Sequence, residues 1–248
     1  MKSVNTDVAY EYIRKKIMGG EYTPGQALLT EVLAKEIKVS RTPVRDALRK
    51  LETDGLVTIR AHLGASVKQM RLSEFREMSD LRLALESHAA GLAALNRTAG
   101  DLSEIKYSLE AMRRLSEQIN AAKEEETLLG DLVKEDVRFH IAIMTAAKNE
   151  LMKKEILRLH LINRVLMAKP LPGLPPVPKK DADARRLTVL AKHDEIYSAI
   201  ARSNATEAKR AMESHLQEMI DHTMASMVGV ETGVIARKLT PEELAYNS

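Results

Sequence analysis

Residues 40–57 read SRTPVRDALRKLETDGLV, and this stretch decides the fold of the N-terminal part of the chain. Ser40 is a favourable helix N-cap, Pro43 falls in the first turn, where its missing N–H costs nothing, and Asp54-Gly55 ends the helix. One face of this helix is apolar and the opposite face is polar, with Val44, Ala47, Leu48 and Leu51 against Thr42, Arg45 and Arg49. Outward arginines at this spacing are typical of a recognition helix in the DNA major groove, although ordinary surface arginines would give the same pattern.

The segments around this helix predict a winged helix-turn-helix over residues 1–70. An apolar helical pattern ends at Gly19-Gly20, and a short second helix is predicted over Thr30–Ile37. Leu56–Arg60 and Ala65–Lys68 read as two strands around a tip at residues 61–64. These 70 residues carry 12 basic and 8 acidic side chains, whereas the rest of the chain has one more acidic than basic residue. The N-terminal domain is therefore the expected partner of a polyanion.

Composition limits the remaining possibilities. The chain has 248 residues, no cysteine and 3% aromatic residues, which excludes disulfides and thiolate metal sites and favours helices over sheets. The sequence has neither a signal-peptide pattern nor a run of about 18 uncharged apolar residues. We therefore expect a cytoplasmic protein that does not enter a membrane.

From Leu72 onward the periodicity is helical and predicts an all-α six-helix bundle over residues 71–227. Asp101 is the predicted N-cap of its second helix. The predicted core stripe of its first helix consists of Met78, Leu81, Leu85, His88 and Leu92. Residues 169–180, KPLPGLPPVPKK, hold five of the eight prolines and predict a stiff loop, and residues 228–248 predict a loose tail or an arm that reaches a partner chain. The predicted fold class is mainly α, with three helices and a two-stranded wing followed by six helices.

Four residues in the helical half carry metal-binding chemistry. Asp136 and His140 are four residues apart, so they share one helix face with apolar neighbours, and His193 and His215 each lie on an apolar stripe of a later helix. Imidazole nitrogens and a carboxylate oxygen are suitable ligands for a divalent ion. Four separate core residues, each with its own local hydrogen bond, are the alternative, because spacing does not show that the helices converge.

The N-terminal stretch TEVLAKEIKVSRTPVRDALRKLETDGLVTIRAHLGASV resembles the DNA-binding domain of the GntR family of bacterial regulators, most specifically over residues 40–57. The resemblance implies DNA contacts from the recognition helix and the wing, at Arg41, Thr42, Pro43, Arg45, Arg49, His62 and Gly64. Family members often have a basic residue in the first turn of the second helix, where this chain has Thr30 and Glu31. No contact is carried over to that turn, and the base preference is expected to differ.

The helical half resembles the effector domain of the FadR-like branch of that family, the FCD type, through DVRFH (136–140), KHDEIYSAI (192–200) and AKRAMESHL (208–216). The resemblance implies a metal ion, with zinc expected first and nickel or manganese next, bound by Asp136, His140, His193 and His215. It also implies that open coordination positions accept the carboxylate of a small organic acid. Arg82 matches a common arginine and is a predicted second anion contact; the alternative is a surface salt bridge with Glu86.

Together these features predict a homodimeric transcriptional repressor that binds a palindromic operator in double-stranded DNA. A small carboxylate metabolite would alter the spacing or mobility of the two DNA-binding heads. Two alternatives stay open: the metal could be structural or itself the signal, or the helical half could be a metal-dependent enzyme fused to a DNA-binding head.

Overall fold

In the computed structural model, which describes residues 2–61, 63–121, 125–167 and 178–235, the chain divides into two folding units. One unit contains Met1–Phe75 and Arg158–Pro172, and the other contains Arg76–Leu157 and Gly173–Ser248. Each unit has its own apolar core.

The N-terminal unit begins with helices α1 (Lys2–Met18), α2 (Thr30–Ile37) and α3 (Arg41–Thr53). The bounds of α2 and α3 agree with the periodicity and capping signals of the sequence. The predicted apolar face of α3 is fully buried and packs against side chains from α1, α2 and the sheet. The buried core of this unit contains Ala9, Ile13, Ile17, Leu28, Leu33, Ala34, Val44, Ala47, Leu48, Leu51, Leu56, Val57 and Val67.

Three short strands form one antiparallel sheet in this unit. Strand β1 (Ala27–Leu28) lies before α2, and β2 (Val57–Arg60) and β3 (Gly64–Val67) follow α3. The strand order is β1-β3-β2, so the two predicted wing strands are present and a third strand, which the sequence did not predict, pairs with β3. Gly64 pairs with Arg60 at the tip and has a φ of 85°, a conformation that glycine adopts without strain.

Six further helices follow in the described part of the chain, which confirms the mainly α fold. Their bounds are α4 Leu72–Asn96, α5 Ala99–Ala121, α6 Glu126–Ala146, α7 Glu150–Met167, α8 Lys179–Ala201 and α9 Ala205–Ile235. Helices α4, α5, α6, α8 and α9 supply the buried side chains of the second core, among them Ala90, Leu109, Phe139, Ile196 and Met212. No helix in the described residues is both long and apolar enough to cross a membrane.

Some local details differ from the sequence predictions. Helix α5 begins with a reciprocal cap: the Asp101 N–H donates to Thr98 Oγ1, and the Thr98 N–H donates to Asp101 Oδ2. The start of this helix is therefore fixed by Thr98 and Asp101 together and not by Asp101 alone. Helix α8 already begins at Lys179, inside the predicted loop, whereas residues 168–177 lie outside the described residues.

The predicted core stripe of α4 is only partly right, because Met78 is buried and Leu85 and Leu92 pack against a buried cluster but two other members are exposed, and the predicted end of α9 is wrong. Leu81 is 42% exposed and His88 is exposed. The side chains of α4 that are buried without having been predicted so include Arg82, Glu86, Ala89, Ala90 and Ala93. Helix α9 continues to Ile235, into the segment predicted as a tail, and residues 236–248 lie outside the described residues.

Candidate metal centre and nucleic-acid interface

Three histidines from three helices meet in the core of the second unit. His140 lies on α6, His193 on α8 and His215 on α9, and each is at most 2% exposed. One potential ligand atom from each lies within 4.8 Å of the other two. The Nε2 atoms of His140 and His215 are 3.3 Å apart. Two nitrogen ligands of one tetrahedral zinc ion are separated by about 3.3 Å, so this spacing suits either a shared cation or a shared proton.

Asp136 stands at the edge of this histidine cluster. It lies one turn before His140 on α6, and its Oδ1 is 3.3 Å from His193 Nε2. Its side chain is 30% exposed, so it connects the buried imidazoles to solvent. The structure thus brings together all four residues that the sequence proposed as metal ligands.

The environment of His193 tests whether a cation fits there. This side chain is fully buried; its Nε2 lies 3.3 Å from Asp136 Oδ1 without the geometry of a hydrogen bond, and its Nδ1 makes no hydrogen bond within the described part of the chain. Burying a polar group without a partner is costly, and a buried site of this kind normally holds a compensating group. The donor set of three imidazoles and one carboxylate is suited to a divalent ion, so the residues fit the predicted metal.

A buried carboxylate that the sequence analysis did not assign to the site lies behind His140. Glu86 on α4 is fully buried, its Oε1 accepts a 2.8 Å hydrogen bond from Arg82 Nε, and its Oε2 is 3.2 Å from His140 Nδ1. An N–H at Nδ1 that faces Glu86 leaves Nε2 as the lone-pair nitrogen directed at the cluster. The available sequence signal was the i, i+4 spacing of Arg82 and Glu86, for which a surface salt bridge was the alternative to an anion contact of Arg82; the structure shows that the two residues are paired and buried.

Burial and neighbouring charges set the protonation of the imidazoles. Burial lowers the pKa of His193 well below its usual value, and burial together with the adjacent His140 lowers the pKa of His215 to about 3. For His140, burial opposes the charged form, but the hydrogen bond to Glu86 and the charges of Asp136 and Glu86 outweigh it and raise the pKa. His193 and His215 are therefore neutral at pH 7, which is the form that binds metal ions.

A cavity of about 360 Å³ adjoins the cluster on the side of Asp136 and His193. Most of its wall is apolar, and two arginines of α8 also line it. Arg186 is held by Ser116 Oγ through Nε, and burial lowers the pKa of Arg185, with partial compensation from Glu218. Arg82 is not among the lining residues. Its guanidinium is paired with Glu86 in the core. Its role as an anion contact therefore stays a prediction.

Five of the seven predicted DNA contacts are exposed in the N-terminal unit. Arg41, Thr42, Arg45, Arg49 and Gly64 are all exposed, and a side chain at Gly64 would meet no atom within 4 Å. Pro43 is buried with the apolar face of α3, so the structure does not expose it. The predicted contact at His62 lies outside the described residues. Arg41 Nη1 lies 2.8 Å from Glu31 Oε1, a pairing that the sequence analysis did not identify.

Comparison with known proteins gives two family matches along the chain. Residues 5–67 match the family described as bacterial regulatory proteins, gntR family, and residues 77–218 match the FCD domain. The HTH-type transcriptional regulator LutR of Bacillus subtilis is 31% identical over 225 residues, covering 83% of this chain and 94% of LutR. The HTH-type transcriptional repressor RspR of Escherichia coli is 28% identical over 211 residues, covering 85% of each protein. The solved structure of McbR/YncC from E. coli shares the fold, with a TM-score of 0.63 and 21% identity over 88% of this chain and 95% of that chain.

Proposed function

This chain belongs to the GntR family of bacterial regulators and carries an FCD domain, and from this premise we propose that it is a repressor controlled by a small organic acid at a metal centre. Like the relatives it matches, it is a DNA-binding transcriptional regulator and not an enzyme. The proposal concerns what the helical unit binds and how that binding is coupled to DNA. One observation carries it: three buried imidazoles converge beside Asp136, and the ring nitrogens of His193 have no hydrogen-bond partner in the described chain.

Asp136, His140, His193 and His215 would hold one divalent ion. Imidazole nitrogens with one carboxylate suit zinc best among the common ions, with nickel and manganese as alternatives. When bound, the ion supplies positive charge at the inner end of the 360 Å³ cavity. Glu86 keeps Nε2 of His140 aimed at the cluster, so it is a positioning residue for this site.

The cavity beside Asp136 suits a small molecule with an anionic group and a short apolar body. Apolar side chains such as Met112 and Leu132 form most of the wall, and Arg185 supplies a cationic group, whereas Arg186 is already paired with Asp183. A carboxylate bound there would change operator affinity only by the difference between its affinities for the two states of the protein. The relative RspR is named a repressor, which supports repression here. A homodimer on a palindromic operator would double the contacts of one small head.

Metal analysis tests the centre directly. Purified wild-type protein should contain close to one divalent ion per chain, and the double variant His193→Ala/His215→Ala should contain none. His88→Ala removes an exposed histidine of α4 and is the matched control, which should keep the metal. Added zinc should raise the melting temperature of metal-depleted wild-type and control protein, but not that of the double variant, because the ion binds the folded state. Equal metal content in all three proteins would overturn the assignment.

Operator binding tests the regulatory part separately. Operator duplexes selected from a random pool by the wild-type protein should be palindromic, and sedimentation should show a dimer. Titrating metal alone, and then a panel of small carboxylic acids on the metal-loaded protein, should change operator affinity only in the second series. A change of operator affinity with metal alone would mean that the metal is the signal. If no acid changes the operator affinity, the metal centre has a structural role.

A further inference from the structure

An exposed acidic residue lies directly beside the first residue of the recognition helix. Glu31 is in the first turn of α2, and Arg41 begins α3 across the helix-turn-helix turn. Glu31 Oε1 and Arg41 Nη1 are 2.8 Å apart, and the two side chains are 65% and 63% exposed. An ion pair this exposed contributes little to folding stability, so any effect of the pair acts through the position and charge of Arg41 at the surface.

The pairing distinguishes Arg41 from the other arginines of that surface. Arg45 forms no ion pair with a described residue, and Arg49 lies 3.9 Å from Asp46 of its own helix. Only Arg41 is therefore held at hydrogen-bond distance by a carboxylate from a different helix, among the described arginines of α3. The guanidinium has five N–H donors, so an ion pair with Glu31 restricts the orientations of Arg41 and leaves other donors available.

The charges of the Glu31–Arg41 pair determine how it would affect contacts with DNA phosphates and bases. The DNA backbone carries about one negative charge per 1.7 Å, so a carboxylate on the DNA-facing surface weakens attraction to phosphates. The Glu31–Arg41 pair has no net charge and retains a directional donor beside an acceptor. In the major groove a G·C pair presents guanine O6 and N7 as acceptors beside the N4 amino donor of cytosine, which is the complementary arrangement.

We propose that Glu31 is a specificity-determining residue, which positions Arg41 toward a G·C base pair and disfavours contact of Arg41 with phosphate. The proposal rests on the DNA-binding activity of the family and is independent of the metal centre. It assigns a role to the position at which the sequence departs from the basic residue that is common in related regulators.

The test measures affinity for operator and for non-operator DNA in parallel. The operator is a duplex selected by the wild-type protein from a random pool, and the reference is a scrambled duplex of equal length and composition. Glu31→Gln removes the charge with little change in shape. We expect tighter binding to the scrambled duplex, an operator preference reduced by at least about fivefold, and a salt dependence that steepens by about 0.9 per head. Repeating the selection with this variant should relax the preference for a G·C pair at one position of each half-site.

Two further variants make the result decisive. Glu11→Gln removes an equal charge from α1, where Glu11 pairs with Arg14 of the same helix at 3.8 Å, and should leave the operator preference unchanged. Arg41→Ala should lose operator preference to a similar extent as Glu31→Gln. If Arg41→Ala loses the preference but Glu31→Gln stays within twofold of wild type, the role of Glu31 is refuted. If neither variant changes the preference, the proposal is refuted together with the predicted DNA contact of Arg41.

Discussion

Replacing Glu86 with glutamine tests the buried network behind the histidine cluster. The substitution keeps the shape of the side chain but removes a charge that faces Arg82 Nε at 2.8 Å and His140 Nδ1 at 3.2 Å. The Arg82 side chain is only 8% exposed, so its positive charge would be left buried without a counter-ion. Breaking a buried ion pair in this way costs about 3–5 kcal/mol, and the remaining amide oxygen places the expected loss near the lower end.

The expected loss translates into a clear thermal shift. For a protein of this size, 1 kcal/mol corresponds to roughly 2–4 °C, so Glu86→Gln should lower the melting temperature of the helical unit by about 6–12 °C. Glu110→Gln is the matched control, because Glu110 pairs with Lys106 at the same i, i+4 spacing on α5 but both side chains are about half exposed. The control should lose less than about 1 kcal/mol. Adding Arg82→Met to Glu86→Gln should recover part of the stability, because the uncompensated charge is then gone.

Metal affinity provides a second and independent result for the same variant. Removing the carboxylate partner of a metal-binding histidine typically weakens metal binding by about 10–100-fold. Competition with a chromophoric zinc chelator, well below the melting temperature, should show such a loss for Glu86→Gln and none for Glu110→Gln. The reasoning is refuted if Glu86→Gln melts within about 1 °C of wild type and competes for zinc equally well.

Three further predictions follow from the same structure. Arg45→Ala should lose about 1–3 kcal/mol of operator binding per head without changing the melting temperature, and unchanged fluorescence anisotropy titrations would contradict the contact. Hydrogen bonds from Lys148 and Thr98 hold the pKa of Asp101 at about 2, below its usual 3.8. Asp101→Asn should therefore lower the free energy of unfolding, measured in urea at pH 7, by roughly 2 kcal/mol, and this loss should shrink as the pH falls from about 4 through 2. A loss that does not depend on pH would show that it does not come from the ionised carboxylate. Arg185→Gln should weaken the binding of an effector acid to metal-loaded protein by about tenfold while the metal content stays unchanged, and calorimetry that gives wild-type acid affinity would remove Arg185 from the site.

The recognition helix and its neighbour were predictable because their signals are local. Ser40 occupies the N-cap position, although its side chain makes no capping hydrogen bond, and the stop at Asp54-Gly55 and one apolar face define the rest of α3 from its own residues. The strand Ala27–Leu28 was missed because two residues carry no periodicity, and its pairing with β3 is made with residues far along the chain. Strand pairing of this kind depends on tertiary packing, which a pattern within one segment does not contain.

Helix α4 shows why apolar periodicity does not identify a buried face that contains polar residues. Its buried face carries a charged pair and small alanines, while Leu81 and His88 of the predicted stripe are exposed and Leu85 and Leu92 are only partly buried. A prediction that places the most apolar stripe inward therefore rotates the helix and puts Glu86 outside the site. For the same reason the i, i+4 spacing identified the pair of Arg82 and Glu86 but not its burial.

The histidine cluster could be predicted only in part from residue patterns. The spacing of Asp136 and His140 places two donors on one helix face, and that signal is local. Their approach to His193 and His215 depends on how α6, α8 and α9 pack, so only the family resemblance connected them in the sequence. The packing of these helices accounts for the 3.3 Å spacing of His140 and His215.

The charges buried around the histidine cluster predict that a metal ion and an acid bind there cooperatively. Arg82 is positive, Glu86 and Asp136 are negative, and neutral imidazoles add nothing, so the cluster carries one net negative charge. A low-dielectric interior penalises an unbalanced charge, which agrees with the raised pKa of His140, because one proton there restores neutrality. A divalent ion with neutral imidazoles would instead leave one net positive charge, which adds to the charge of Arg185 in the adjacent cavity and favours a carboxylate there. Metal and acid should therefore bind cooperatively, and by linkage the acid should raise the metal affinity measured in equilibrium competition with a chelator by the same factor as the metal raises the acid affinity.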